Sequence, residues 1–217
     1  MHGASCEKVT MQAEFINKLE RIRLEKNSDL ALLIRPRLNN MPLPLKRHDD
    51  PFLPFAKEII NATQSMVVAY VLDLAAFLSL GAAGAIALER TVNFAASDNI
   101  LILHGPFSSA QYAGITDEQA FPCDAVTLAD SQHIDAYLQR SDRSAFVINN
   151  RSVQHLDAPD HGGYLWVEAA ALSTIGLTGE VITLHLFGDD VVYASSGEDF
   201  MTRARETLLD LNDFNPR

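Results

Sequence analysis

The chain alternates between two hydrophobic rhythms. Residues 10–26 carry Phe15, Ile16, Leu19, Ile22 and Leu24 among charges, at the three- and four-residue spacing of an amphipathic helix. Leu30 to Ile34 is then a short continuous apolar run, which suits a buried strand. A linker punctuated by Pro36, Pro42 and Pro44 leads to Asp50-Pro51. That pair signals a helix start, because the fixed φ of proline suits the first turn, where its missing N–H costs nothing. The spacing therefore predicts a helix over 51–65 with Phe55, Ile59 and Ile60 inward. Val67 to Val71 predicts the second strand, and 75–96 a helix that Gly81 and Gly84 can interrupt. Ile100 to Leu103, Ala125 to Leu128 and Ala145 to Ile148 predict three more strands, with helices expected near 108–120 and 131–140. A polar stretch runs from Arg151 to Gly163. Beyond it, 165–175 reads as helical, Val181 to Phe187 as a strand and 198–211 as an amphipathic helix.

Strand and helix thus alternate with short connections, the pattern of parallel strands covered by helices. Periodicity alone fits both a (β/α)8 barrel and a doubly wound sheet. No internal repeat or low-complexity tract is present. With 217 residues and 47% hydrophobic side chains, the chain can bury a substantial single core. We expect an N-terminal segment and helix over 1–28, one domain over 29–212 and a tail over 213–217.

Charge and cysteine usage narrow the function classes. Asp plus Glu outnumber Lys plus Arg by 28 to 17, and a surface of net charge −11 repels phosphate backbones. Nucleic acid is therefore not an expected partner. Cys6 and Cys123 are too few and too far apart for a disulfide framework or zinc site, and Cys123, before an apolar run, reads as a core residue. Residues 1–20 mix Lys and Glu without a long apolar run, so a secretory signal is not expected. The compartment stays open between cytoplasm and an organelle matrix, mitochondria included. The apolar stretch from Met66 to Leu88 contains Asp73, Gly81 and Gly84, and reads as strand, turn and buried helix rather than as a membrane span.

Specific residues carry a resemblance. Asp50-Pro51-Phe52 is followed by Phe55-Ala56-Lys57-Glu58-Ile59-Ile60-Asn61-Ala62-Thr63 and by Ala69-Tyr70. Then come Leu80-Gly81-Ala82-Ala83-Gly84, Leu88-Glu89-Arg90-Thr91 and Asp124-Ala125-Val126-Thr127-Leu128, and last Tyr193-Ala194-Ser195-Ser196-Gly197-Glu198-Asp199-Phe200. In this order and spacing the pieces resemble orotidine 5′-phosphate decarboxylases of the longer bacterial and kinetoplastid type. The resemblance touches most of residues 15–150 and 180–212. It implies a dimeric (β/α)8 barrel with its site at the C-terminal ends of the strands. Between the fifth strand and Val181 there is room for about one helix and a loop where the family places two β–α units. We therefore expect a truncated, barrel-derived fold of about six recognisable parallel strands. The strand edges so exposed would need covering, which suggests a chain stable only with a partner.

The resemblance breaks at the positions that would carry chemistry. The family motif D-x-K-x-x-D at the third strand end reads His104-Gly105-Pro106-Phe107-Ser108-Ser109 here. His104, Pro106 and Ser109 thus replace Asp, Lys and Asp. Val71 stands where the second strand would supply a Lys, Arg35 where the first would supply an Asp, and Asp189 where the last would supply the phosphate-binding Arg. Decarboxylation of orotidylate leaves an electron pair on C6, which the family's lysine ammonium stabilises and protonates. Proline has no side-chain proton to give, and a carboxylate at a phosphate site reverses the electrostatics.

These substitutions imply a non-catalytic pseudoenzyme, without cofactor or metal, serving as a structural or accessory subunit. Its partners would be other protein subunits or a second copy, without membrane insertion. The alternatives are a regulatory nucleotide-binding protein and a divergent lyase or decarboxylase. Other candidates carry bland readings. His155, Asp157, Asp160 and His161 have ligand-like spacing but suit a solvated loop. The Gly162-Gly163 pair marks a turn, and Trp166 suits a core or an interface. His104, at a strand end, could do acid–base work but has no partner visible in the sequence.

Overall fold

The computed structural model describes residues 12–95, 98–149, 163–166 and 171–214. The first element is helix α1 (Ala13–Lys26). Asn27, at φ 45°, ends it in the left-handed region and returns its N–H to Arg23 O and Leu24 O. Strand β1 (Leu30–Ile34) follows, then two single 3₁₀ turns and helix α2 (Phe52–Thr63). Asp50 accepts the Phe52 N–H at 3.3 Å, as the Asp-Pro signal implies. Strand β2 (Val67–Asp73) runs directly into a short helix α3 (Leu74–Leu78), which Gly81 at φ +60° turns into α4 (Ala82–Ala95). Strand β3 (Ile100–Phe107), a 3₁₀ stretch Ala110–Thr116, β4 (Ala125–Leu128), α5 (Ile134–Tyr137) and β5 (Ser144–Asn149) come next. The chain then adds β6 (Gly163–Trp166), β7 (Ala171–Ile175), β8 (Val181–Phe187), α6 (Asp189–Val192) and α7 (Phe200–Phe214).

The strands close into a barrel in chain order, with β8 pairing β1 in parallel. The barrel class is the one expected from the sequence. Eight strands close it, against the six or so parallel ones anticipated. The two additions are β6, parallel to β5, and β7, antiparallel to both neighbours. Residues 165–166 and 171–175 are thus strand rather than helix. Ala and Leu favour a helix locally, but β6 and β7 bridge the gap between β5 and β8, and tertiary pairing overrides propensity. A tight loop joins β7 to β8, with Gly176 N–H donating to Glu180 O at 2.8 Å and Gly179 at φ +90°. Ser173 and Thr183 hydroxyls meet across that pair at 3.0 Å. Closure removes the open edges on which the expected need for a partner rested. The helices anticipated near 108–120 and 131–140 shrink to a 3₁₀ stretch and a single turn.

Two cores follow from strand alternation. Leu30, Leu32, Tyr70, Leu72, Leu101 and Leu103 face outward and pack with α2, α4 and α7. Ala31, Ala69, Val71, Ile100, Ile102, Ala125, Phe146, Leu172, Ile182 and Leu184 fill the interior, together with Phe15, Ile16, Leu19 and Ile22 of α1. Helix α1 is therefore the barrel floor. Phe15 N–H donates to Ser141 O at 3.1 Å, and Lys18 pairs at 2.6 Å with Asp124, which also accepts the Leu101 N–H. Lys26 donates to the carbonyls of Gln64 and Val67 on the same end of the barrel, and burial draws its ammonium down to about 8. Cys123 is a buried core thiol, pushed up by that burial. The apolar stretch from Met66 resolves into β2, α3 and α4, and no described helix is long and apolar enough to cross a membrane.

Candidate functional site

The C-terminal ends of the strands hold a row of polar side chains on four neighbouring strands. β2 extends two residues beyond Val71, to Asp73, and Asp73 is the register partner of His104 on β3. Alternation points Asp73 and His104 to the interior, above Val71 and Ile102. Arg35, just past β1, donates from Nε to Asp73 Oδ2 at 2.7 Å. The other oxygen of Asp73 accepts the Ala76 N–H at 2.9 Å, so the carboxylate also caps α3. On β4, the hydroxyl of Thr127 lies 3.0 Å from His104 Nδ1 and accepts the Gly105 N–H at 3.1 Å. Gly105 has that N–H to give because the β3–β4 ladder shifts register between Leu103 and Phe107.

Burial holds the His104 imidazole below its ordinary value near 6.5; Asp73 opposes this and Arg35 adds to it. The folded state thus favours neutral His104, while the unfolded chain takes up a proton as pH falls through that value. Stability from this residue is present above the unfolded value and lost as pH drops below it. In urea titrations between about pH 7.5 and pH 5.5, the wild type is expected to lose more stability than His104→Gln. Equal slopes for the two would remove the argument.

A second polar group sits at the β8–β1 seam. Arg37 pairs with Asp189 at 2.8 Å, so that carboxylate is not an uncompensated negative charge at the mouth. Tyr193 donates to Arg35 O at 3.0 Å and accepts the Arg37 N–H at 2.7 Å. Its ring stacks on Phe55 at 5.2 Å, and burial pushes its hydroxyl up to about 12. The Leu43 N–H donates to Ser196 O at 2.8 Å. The Tyr-Ala-Ser-Ser segment therefore clamps the loop that carries both arginines.

The residues singled out in the sequence separate in space. Arg35 and His104 come together through Asp73 and with Thr127, whereas Val71 lies below them, 1% exposed, in the apolar interior. Pro106 is exposed on the rim, and Ser109 caps the 3₁₀ stretch by accepting the Gln111 N–H. Asp73 and Thr127 went unnoticed in the sequence as site residues. Asp73 had a signal, a carboxylate between a strand and a helix, which is the N-cap pattern. His155, Asp157, Asp160, His161 and Gly162 lie outside the described residues, as do Cys6 and the 1–11 segment. Among the described residues no group of His, Cys, Asp and Glu could hold a metal ion.

No family model matches the chain. An orotidine 5′-phosphate decarboxylase of Thermomicrobium roseum is 30% identical over 183 residues, covering 77% of this chain and 65% of that one. In sequence the chain is similar to orotidine 5′-phosphate decarboxylases. A relative from Herpetosiphon aurantiacus is 28% identical, covering 73% of this chain and 64% of its own. The chain thus spans just under two thirds of the length of these curated relatives. Solved structures agree in fold. The orotidine 5′-monophosphate decarboxylase of Plasmodium berghei has a TM-score of 0.55 at 14% identity, over 64% of this chain and 62% of that one. The OMP decarboxylase of Leishmania donovani has 0.52 at 18%, over 65% and 55%.

Proposed function

We propose that this chain is non-catalytic and acts as a structural or accessory protein. The observation that supports this reading most is the supply of protons at the mouth. The sequence contains no lysine after Lys57, so β2 to β8 offer no ammonium. Lys18 and Lys26 are engaged at the opposite end of the barrel, and Lys57 lies over the Phe94 ring on the outside. Lys46 is exposed on the loop after β1. At the mouth itself, Pro106 has no side-chain proton to give, and burial disfavours the protonated form of His104. On this reading Arg35, Val71, His104, Pro106 and Ser109 mark lost catalytic positions and Asp189 a lost phosphate position. The exposed Leu78, Ile86 and Phe94 on α3 and α4 favour a protein-binding role.

A second reading, an ordinary orotidylate decarboxylase, is favoured by the names of the relatives. One assay separates the two. Purified chain is incubated with orotidylate and loss of substrate is followed by absorbance. The expected rate equals that of buffer. Turnover that His104→Ala or Lys46→Ala abolishes would establish the second reading.

A further inference from the structure

We propose that the barrel mouth is a binding site for a small monocarboxylate with an apolar body, held by Arg35 and His104.

The hydrogen bonds fix what the mouth displays. Thr127 is wholly buried, and its hydroxyl already accepts the Gly105 N–H. Its own hydrogen needs an acceptor, and His104 Nδ1 at 3.0 Å is the one present among the described residues. His104 Nδ1 is therefore the unprotonated nitrogen, and Nε2 carries the ring hydrogen. Burial keeps the ring neutral, so His104 offers one directed donor without adding charge. Arg35 spends only Nε on Asp73, and its two terminal nitrogens have no partner among the described residues. Its side chain is 34% exposed. Both oxygens of Asp73 are occupied, one by Arg35 and one by the Ala76 N–H.

Two donors thus face the top of the interior from the ends of β1 and β3, on either side of Asp73 on β2, and a carboxylate has two oxygens to receive them. The charge balance selects against a phosphate. Arg35 is offset by Asp73 and Arg37 by Asp189, so a dianion meets no surplus positive charge. The surroundings select an apolar body. Leu33, Ile148 and Leu186 border the interior cluster and are only partly buried, whereas Ile102, Phe146 and Leu184 within it are closed off. A carboxylate on an aromatic or branched aliphatic body places its charge on the donors and its bulk on these three side chains.

The inference stands apart from the question of catalysis, because benzoate binding and orotidylate turnover are read independently. The test is calorimetric titration of the full chain with benzoate, benzamide and inorganic phosphate, alongside their effect on melting. Saturable one-to-one binding of benzoate with a raised melting temperature is expected, and no saturable signal from benzamide or phosphate. Benzoate affinity should fall at least about tenfold in Arg35→Gln and in His104→Phe, the loss of a charge-assisted or a directed hydrogen bond. Melting without ligand checks that each variant folds, and the second variant decides if the first does not. Absent benzoate binding, equal binding of benzamide or phosphate, or an unchanged affinity in a folded variant would each overturn the proposal.

Discussion

Gly84→Ala is expected to destabilise the protein more than any other single-methyl addition among the described glycines. A Cβ at Gly84 would lie 1.8 Å from the carbonyl oxygen of Phe77 and 2.8 Å from its carbon. Those atoms are backbone at the end of α3, so no rotamer relieves the clash. The α3–α4 corner must open, and Phe77, fully buried against Phe52, moves with it. Overpacking of a rigid core costs about 1–3 kcal/mol, and this contact belongs at or above the top of that range. Gly81→Ala is the control. Gly81 has open space around it, and only its positive φ opposes a side chain, at a cost of about 1 kcal/mol. Urea denaturation of both variants should rank Gly84→Ala well below Gly81→Ala. A reversed ranking would mean that α3 does not press on α4 as described.

Phe15→Ala should unfasten the barrel floor. Phe15 is 1% exposed, packs edge-on against Phe146 at 6.3 Å and stands inside the same apolar cluster as Ile100 and Ile182. Truncating a buried phenylalanine costs about 3–5 kcal/mol, a large share of the stability of a single domain. Here the loss falls on the helix that, among the described residues, closes the N-terminal end of the interior. Leu24→Ala on the same helix, 75% exposed, should stay within about 0.5 kcal/mol of wild type. Thermal unfolding of the two variants measures the contrast. A Phe15→Ala protein as stable as Leu24→Ala would show that α1 does not plug the barrel.

Period and punctuation in the sequence determined much of this protein. Helix α1, strands β1 to β5 and β8, and the helix after Asp50-Pro51 were legible because each repeats a local rule: apolar spacing, an apolar run, or a start signal. Gly81 was legible as an interruption, whereas Gly84, read in the same way, sits inside α4 for close approach to Phe77. The order of the motifs also carried the resemblance.

Tertiary structure alone decided the rest. Residues 165–175 have helical composition, yet the gap between β5 and β8 can be closed only by strands, and the ladder outweighs propensity. The site was half visible. Arg35 and His104 could be named from their places at strand ends, but Asp73 joins them because β2 runs two residues further than its apolar run. Arg37 and Asp189 meet across a seam between the first and last strands, 152 residues apart in the chain. No local pattern encodes such a pairing, because barrel closure brings the two ends of the sequence together only after every intermediate strand has found its neighbour.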